Sequence, residues 1–239
     1  MSFELNKIYF ADCYEAIKQI PNKSVDLIVT DPPYDINVNH GAGAFGVKKK
    51  LHYEQFIEIS NGYREEILDD FIRVLKRINL YIWCSKKQIP TLIDYFVKKR
   101  NCYWNLISWH KNNVCPVCNN TYAQDTEYCL FFREEGVRLY GNYASKKTYY
   151  VTNMNTCDKK KFKHPTIKRL DIIQNLISNS SRENDIVLDP FMGSGTTAVA
   201  CKNLGRNFIG FEFNQQWHKI ACDRLNNVQA DGQITMFTD

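Results

Sequence analysis

The chain has 239 residues, 44% of them hydrophobic, with 31 Lys plus Arg against 26 Asp plus Glu, a formal net charge of +5. That length and apolar content can build one full core, and no run of about 18 apolar residues offers a membrane span. Glu4 and Lys7 interrupt the N-terminal stretch where an export signal would be apolar, and nine cysteines, an odd number, fit reduced thiols in a cytoplasm better than a disulfide framework. The small positive balance permits a polyanionic partner without requiring one.

In chain order, short β-branched or apolar runs predict strands over 7–10, 25–30, 80–84, 103–109, 127–132, 186–188 and 207–211. Helical periodicity is clearest over 64–77, 87–99, 167–178, 196–204 and 215–226. Strands alternating with helices predict an α/β fold around a mostly parallel, seven-stranded sheet. Two stretches break the alternation. Residues 35–60 hold Gly41, Gly43 and Gly46 followed by Lys48, Lys49 and Lys50, a loop with a basic edge. Residues 136–164 mix Arg138, Lys146, Lys147, Lys159, Lys160, Lys161 and Lys163 with Tyr140, Tyr143, Tyr149 and Tyr150. Basic groups suit phosphates and aromatic rings suit unstacked bases, so both stretches are candidates for contact with a large substrate.

The run Ile186-Val187-Leu188-Asp189-Pro190-Phe191-Met192-Gly193-Ser194-Gly195-Thr196-Thr197-Ala198 is a strand that ends in a glycine turn and opens a helix. Glycines there let a backbone approach a nucleotide-like ligand, and Glu212, one strand later, is placed to accept from two ribose hydroxyls. By pattern alone the turn also satisfies a loose dinucleotide fingerprint, which keeps a nicotinamide-dependent oxidoreductase open as an alternative. No Lys-Ser or Lys-Thr follows the glycines, which excludes a P-loop. Asp189 favours another ligand: a carboxylate directly before the turn repels a pyrophosphate and attracts a ligand with amino and sulfonium cations, such as S-adenosylmethionine.

Asp31-Pro32-Pro33-Tyr34 follows the strand over 25–30, at the sheet end that faces ligands in open α/β folds. An exocyclic amino group is a poor nucleophile because its lone pair is delocalised into the ring. Asp31 can accept one N–H and the Pro32 carbonyl the other, while the two prolines fix the backbone that points that carbonyl. Tyr34 offers a face for a base rotated out of its stack.

Together these segments resemble the amino-methyltransferases of DNA, in the group whose Asp-Pro-Pro-Tyr segment precedes Asp-Pro-Phe-Met-Gly-Ser-Gly-Thr-Thr. His164-Pro165-Thr166-Ile167-Lys168-Arg169 is similar to that group's His-Pro-Thr-x-Lys-Pro element, with Arg169 where proline is usual, and Trp109-His110-Lys111-Asn112-Asn113 is similar to an element of its catalytic half. The resemblance implies a class I S-adenosylmethionine-dependent methyltransferase fold with permuted motif order: a catalytic half over 1–135, a target-recognition segment over 136–163 and a cofactor half over 164–239. It implies cofactor contacts from Asp12, Asp31, Thr166, Lys168, Asp189, Pro190, Phe191, Gly193, Ser194, Gly195, Thr196, Thr197 and Glu212. Catalysis falls to Asp31, Pro32, Pro33 and Tyr34, and DNA contact to Lys48, Lys49, Lys50, Lys111, Asn112, Lys146, Lys147 and Lys161. The implied activity is methylation of adenine N6 in DNA by a cytoplasmic bacterial or phage enzyme, of the type II restriction-modification or orphan kind, with a homodimer as the frequent assembly.

Cytosine N4 presents the same geometry to the clamp, although a serine at position 31 would suit it better; RNA, a protein amide, or nucleic-acid binding without catalysis are further alternatives. Cys115-Pro116-Val117-Cys118 has zinc-knuckle spacing, but only Cys129 and Cys157 could complete it, so no metal is expected. His52 and His110 are given no catalytic role.

Overall fold

The computed structural model describes residues 3–35, 62–114, 120, 122–162 and 167–228. Lys48, Lys49, Lys50, Cys115, Cys118, His164 and Thr166 lie outside them. Eight strands form one sheet: β1 (Lys7–Phe10), β2 (Leu27–Thr30), β3 (Asn79–Cys84), β4 (Tyr103–Lys111), β5 (Thr126–Arg133), β6 (Tyr149–Thr152), β7 (Ile186–Asp189) and β8 (Asn207–Glu212). The helices are α1 (Cys13–Ala16), α2 (Ile67–Val74), α3 (Ile89–Ile93), α4 (Thr156–Phe162), α5 (Leu170–Ser180), α6 (Thr196–Asn203) and α7 (Gln215–Asn226).

The strand order is β1-β8-β7-β2-β3-β5-β4-β6. From β1 across to β3 the neighbours run parallel; β5 is antiparallel to both β3 and β4, and β6 pairs parallel with β4. The sheet is therefore mixed as expected but one strand larger than the expected seven. The added β6 lies inside the basic, tyrosine-rich stretch, where four alternately exposed residues on a sheet edge give no apolar run to read.

The central strands are buried on both faces, which is why 25–30 and 186–188 read as unbroken apolar runs. Ile28 packs towards α1, α2 and α3, whereas Leu27 and Val29 pack towards α5, α6 and α7. α2 shows how the sequence selects a face: Ile67, Leu68, Phe71 and Val74 fall on one stripe and are all buried. It ends earlier than the periodicity predicted because Leu75 turns extended at ψ 131° and the Lys76 amide donates to Val25 O at 2.8 Å. The helix expected over 87–99 is α3 continued by a π turn over Asp94–Lys98.

β2 and β7 are neighbours, yet the chain leaves β2 towards β3 on one side and leaves β7 towards β8 on the other. Diverging connections open a crevice at the carboxyl ends of these two strands. α6 rises from that crevice after Gly195, whose φ of 81° is left-handed, and an added Cβ there would lie 3.0 Å from the Ala221 Cβ of α7. Gly195→Ala is expected to cost about 1–3 kcal/mol of folding stability, through backbone strain compounded by this contact; urea unfolding with an unchanged midpoint would contradict it.

Candidate active site

β2 hands over directly to Asp31, and β7 ends on Asp189. Thr30 Oγ1 donates to Asp189 Oδ1 at 2.9 Å, and the Phe191 amide donates to the same oxygen at 3.1 Å. The glycine turn is stitched to the end of β8: Met192 N donates to Phe211 O at 2.9 Å and Gly193 N to Glu212 Oε2 at 2.8 Å, while Asn214 N donates to Glu212 Oε1 at 2.8 Å. Arg224 of α7 supports the turn from behind, donating to Thr196 Oγ1 at 2.9 Å. Burial raises the Asp189 pKa to about 6 and the Glu212 pKa to about 7. The turn is thus an acidic recess whose amides at Phe191, Met192 and Gly193 are held within the protein.

One cavity joins this recess to the tetrapeptide. Asp31, Pro32, Pro33, Tyr34, Lys168, Asp189, Pro190, Phe191, Gly193, Ser194, Thr196, Thr197 and Glu212 all line it, with Phe213 and Trp217 as apolar walls. Gly195 shapes the turn without lining the cavity. Asp12 does not line it either; its carboxylate caps α1 by accepting from the Tyr14 amide at 2.8 Å, between the lining residues Ala11 and Cys13.

The tetrapeptide backbone is fixed from two sides, by Gln88 Nε2 donating to Pro33 O at 3.1 Å and by Gly62 N donating to Tyr34 O at 3.2 Å. No described group donates to the Pro32 carbonyl. Lys168 is 6% exposed, and its ammonium reaches Asp31 Oδ2 at 2.5 Å and the Tyr34 hydroxyl at 3.1 Å. Asp31 Oδ1 is buried and has no hydrogen-bond partner among the described residues. A buried carboxylate oxygen left open is costly unless something donates to it. An amino N–H from a ligand in the cavity meets that need.

Sequence reasoning missed a second layer. Glu127 of β5 lines the same cavity and its Oε2 lies 3.0 Å from Lys168 Nζ, while its Oε1 pairs with Lys111 of β4. Lys111, expected at DNA, is directed here instead. Burial opposes the lysine charge, but Asp31 and Glu127 outweigh it and raise the Lys168 pKa above its ordinary value. Burial likewise opposes ionisation of Glu127, and Lys168 and Lys111 outweigh it, bringing its pKa down to about 2. Asp31 is the exception: burial raises its pKa against the pull of Lys168.

The other expected DNA contacts lie away from the cavity. Asn112, Lys146, Lys147 and Lys161 are exposed, and the Lys147 and Lys161 ammonium groups sit over the rings of Tyr149 and Phe162. Arg169, in place of the usual proline, holds Asp171 at the start of α5 at 2.7 Å. Cys129 is buried in β5 and Cys157 is exposed on α4.

A family model described as DNA methylase matches residues 25–223. Type II methyltransferase M1.MboII of Moraxella bovis is 29% identical over 270 residues, covering 95% of this chain and 99% of its own length. The crystal structure of the M1.HpyAVI-SAM complex is 32% identical with a TM-score of 0.67, covering 92% of this chain and 99% of that one. The cytosine-N4-specific PvuII DNA methyltransferase also aligns with a TM-score of 0.67, over 93% of this chain and 88% of its own; at 15% identity that likeness is one of fold alone.

Two of the raised carboxylates, those of the glycine turn and the end of β8, have a consequence for stability. In the folded chain Asp189 and Glu212 hold their protons to about pH 6 and about pH 7, above the ordinary carboxylate range of an unfolded chain. Their contribution is therefore present in acid and is lost as pH rises through those values. The ligand-free protein is expected to lose urea resistance between about pH 4 and about pH 7, and Asp189→Asn to flatten that fall; a fall of equal steepness in the variant would contradict the assignment.

Proposed function

This chain belongs to the DNA methylase family, and from that premise we propose that it transfers the methyl group of S-adenosylmethionine to the N6 amino group of adenine in DNA. The observation that carries the reading is Asp31: Lys168 holds one of its oxygens, and the other is buried without a partner among the described residues, in the wall of a cavity that the acidic glycine turn also lines. The cavity suits this cofactor. Asp189 and Glu212 offer carboxylates to its cationic and hydroxyl groups, and the turn at Gly193 admits a close approach of backbone. When bound, S-adenosylmethionine supplies an electrophilic methyl group.

The chain's own residues orient the acceptor. Asp31 Oδ1 and the Pro32 carbonyl take the two N–H groups of a planar amino substituent, which draws its lone pair out of conjugation and towards the methyl donor. Tyr34 supplies the ring against which the flipped base stacks, and the proton released from nitrogen leaves to water. Adenine is favoured over cytosine by the carboxylate, instead of a serine, at position 31. The same reading assigns the catalytic half to 1–135, cofactor binding to 164–239 and target recognition to 136–163, where Lys146 and Lys147, just before β6, and Lys161, on α4, are exposed. It also includes a homodimer and a cytoplasmic location; among the described residues no helix is long and apolar enough to cross a membrane.

Incubation with labelled cofactor and unmethylated DNA, followed by nucleoside analysis, is expected to yield N6-methyladenine. Asp31→Asn is expected to lower the rate by roughly 10²- to 10³-fold, the scale of losing one well-placed polar contact to the reacting group. N4-methylcytosine as the sole product would overturn the base assignment.

A further inference from the structure

The active-site lysine does not serve Asp31 alone. Glu127 and Lys111 come from adjacent antiparallel strands: Trp109 stands opposite Glu127 in the β4–β5 register, and Lys111, two residues further on, is its diagonal neighbour on the same face. Their side chains meet there, so Glu127 is held from the sheet side by Lys111 and touches Lys168 at 3.0 Å on the other. Four charges thus alternate in a chain, Asp31, Lys168, Glu127 and Lys111, and sum to zero inside the protein. The indole of Trp83 and the ring of Tyr34 flank the Lys168 ammonium at 5.0 Å and 5.2 Å, which leaves it little room to move.

We infer that Glu127 is a positioning residue for methyl transfer: by sharing the Lys168 ammonium with Asp31 it fixes where that ammonium sits and keeps Asp31 a strong acceptor. A buried lysine with Asp31 as its one counter-ion would give that carboxylate its whole attraction, and an acceptor so neutralised draws less on an amino N–H. With Glu127 present the attraction is divided. Oδ2 remains anchored and Oδ1 keeps its basicity and its direction. Lys111 completes the arrangement by preventing Glu127 from taking Lys168 outright. This role rests on the methyltransferase reading above.

The groups that face Asp31 bear on any pH profile. They are Lys168, Glu127 and Cys129 of β5, Cys84 of β3, Asp189 of β7 and the Tyr34 hydroxyl; Lys159 of α4 faces Glu127 and Lys168. Glu127 is the one among them that both repels Asp31 and competes for its lysine. Removing its charge moves the ionisation of Asp31 towards acid, and removing Lys111 drives it the opposite way by drawing Lys168 towards Glu127.

The test is single-turnover transfer of labelled methyl groups to unmethylated genomic DNA over a range of pH, with cofactor binding followed by calorimetry. Glu127→Gln is expected to lower the rate by about 10- to 100-fold, the scale of a misplaced reacting group, to retain cofactor binding and to shift the acid limb of the profile to lower pH. Glu127→Asp is expected to recover part of the rate and to return the limb towards its original position. Lys111→Met, a second variant should the first fold poorly, is expected to shift the limb to higher pH. A limb unmoved in both Glu127→Gln and Lys111→Met, or a loss of cofactor binding in parallel with rate, would overturn the inference. A wild-type chain that methylates no DNA would instead sink the functional reading, and a cytosine product would appear in the nucleoside analysis without altering the limb shifts.

Discussion

The contact on which the site depends is the ion pair between Lys168 and Asp31, 2.5 Å long and joining residues 137 apart in sequence. It ties the segment that follows β2 to the segment that precedes α5, and both line the cavity. Because the lysine is buried, the pair is fixed in direction as well as in charge, and the direction has a chemical result: one oxygen of Asp31 is held by the ammonium and the other is buried without a partner among the described residues. Water would blur that distinction by solvating both oxygens. The walls of Trp83, Tyr34 and the prolines preserve it.

The sheet makes this pairing possible. β2 and β7 end side by side, so Asp31 and Asp189 converge although they belong to separate sequence segments, and Thr30 Oγ1 bonds one strand end to the other. The two carboxylates then differ through their surroundings. Burial raises the pKa of both, but Asp31 has an ammonium in contact, whereas Asp189 has only hydroxyl and amide donors. A carboxylate without a counter-ion beside a glycine turn is the half of the site suited to a cationic ligand, and a carboxylate already paired but half open is the half suited to an amino group. On the proposed reading, that difference sorts the methyl donor from the methyl acceptor.

Much of this was legible in the sequence. All seven expected strands are present, several within a residue or two of their predicted ends, because central strands buried on both faces are continuous apolar runs with sharp borders. The tetrapeptide and the glycine turn were legible because their chemistry is local. What escaped was non-local or at an edge. β6 is a four-residue edge strand with alternating exposure, and α4 buries none of its residues, so neither leaves an apolar pattern. Lys111 was expected at the DNA, and the pairing of Lys168 with Asp31 and Glu127 was not foreseen, since a lysine in sequence looks solvated until its partner is known. Glu127 carried a signal that could have been used: it shares a strand face with Cys129 and Phe131, both buried, so its charge points inward and requires a partner.

The proposed mechanism requires that the unpaired oxygen of Asp31 receive the amino group that is methylated. A crystal structure of the enzyme with S-adenosylhomocysteine and duplex DNA carrying its target adenine tests it most directly. The expected result is a flipped base whose N6 lies about 2.9 Å from Asp31 Oδ1, within hydrogen-bond range, with Lys168 still on Oδ2. An amino group satisfied by other residues, with Lys168 turned away from Asp31, would contradict it.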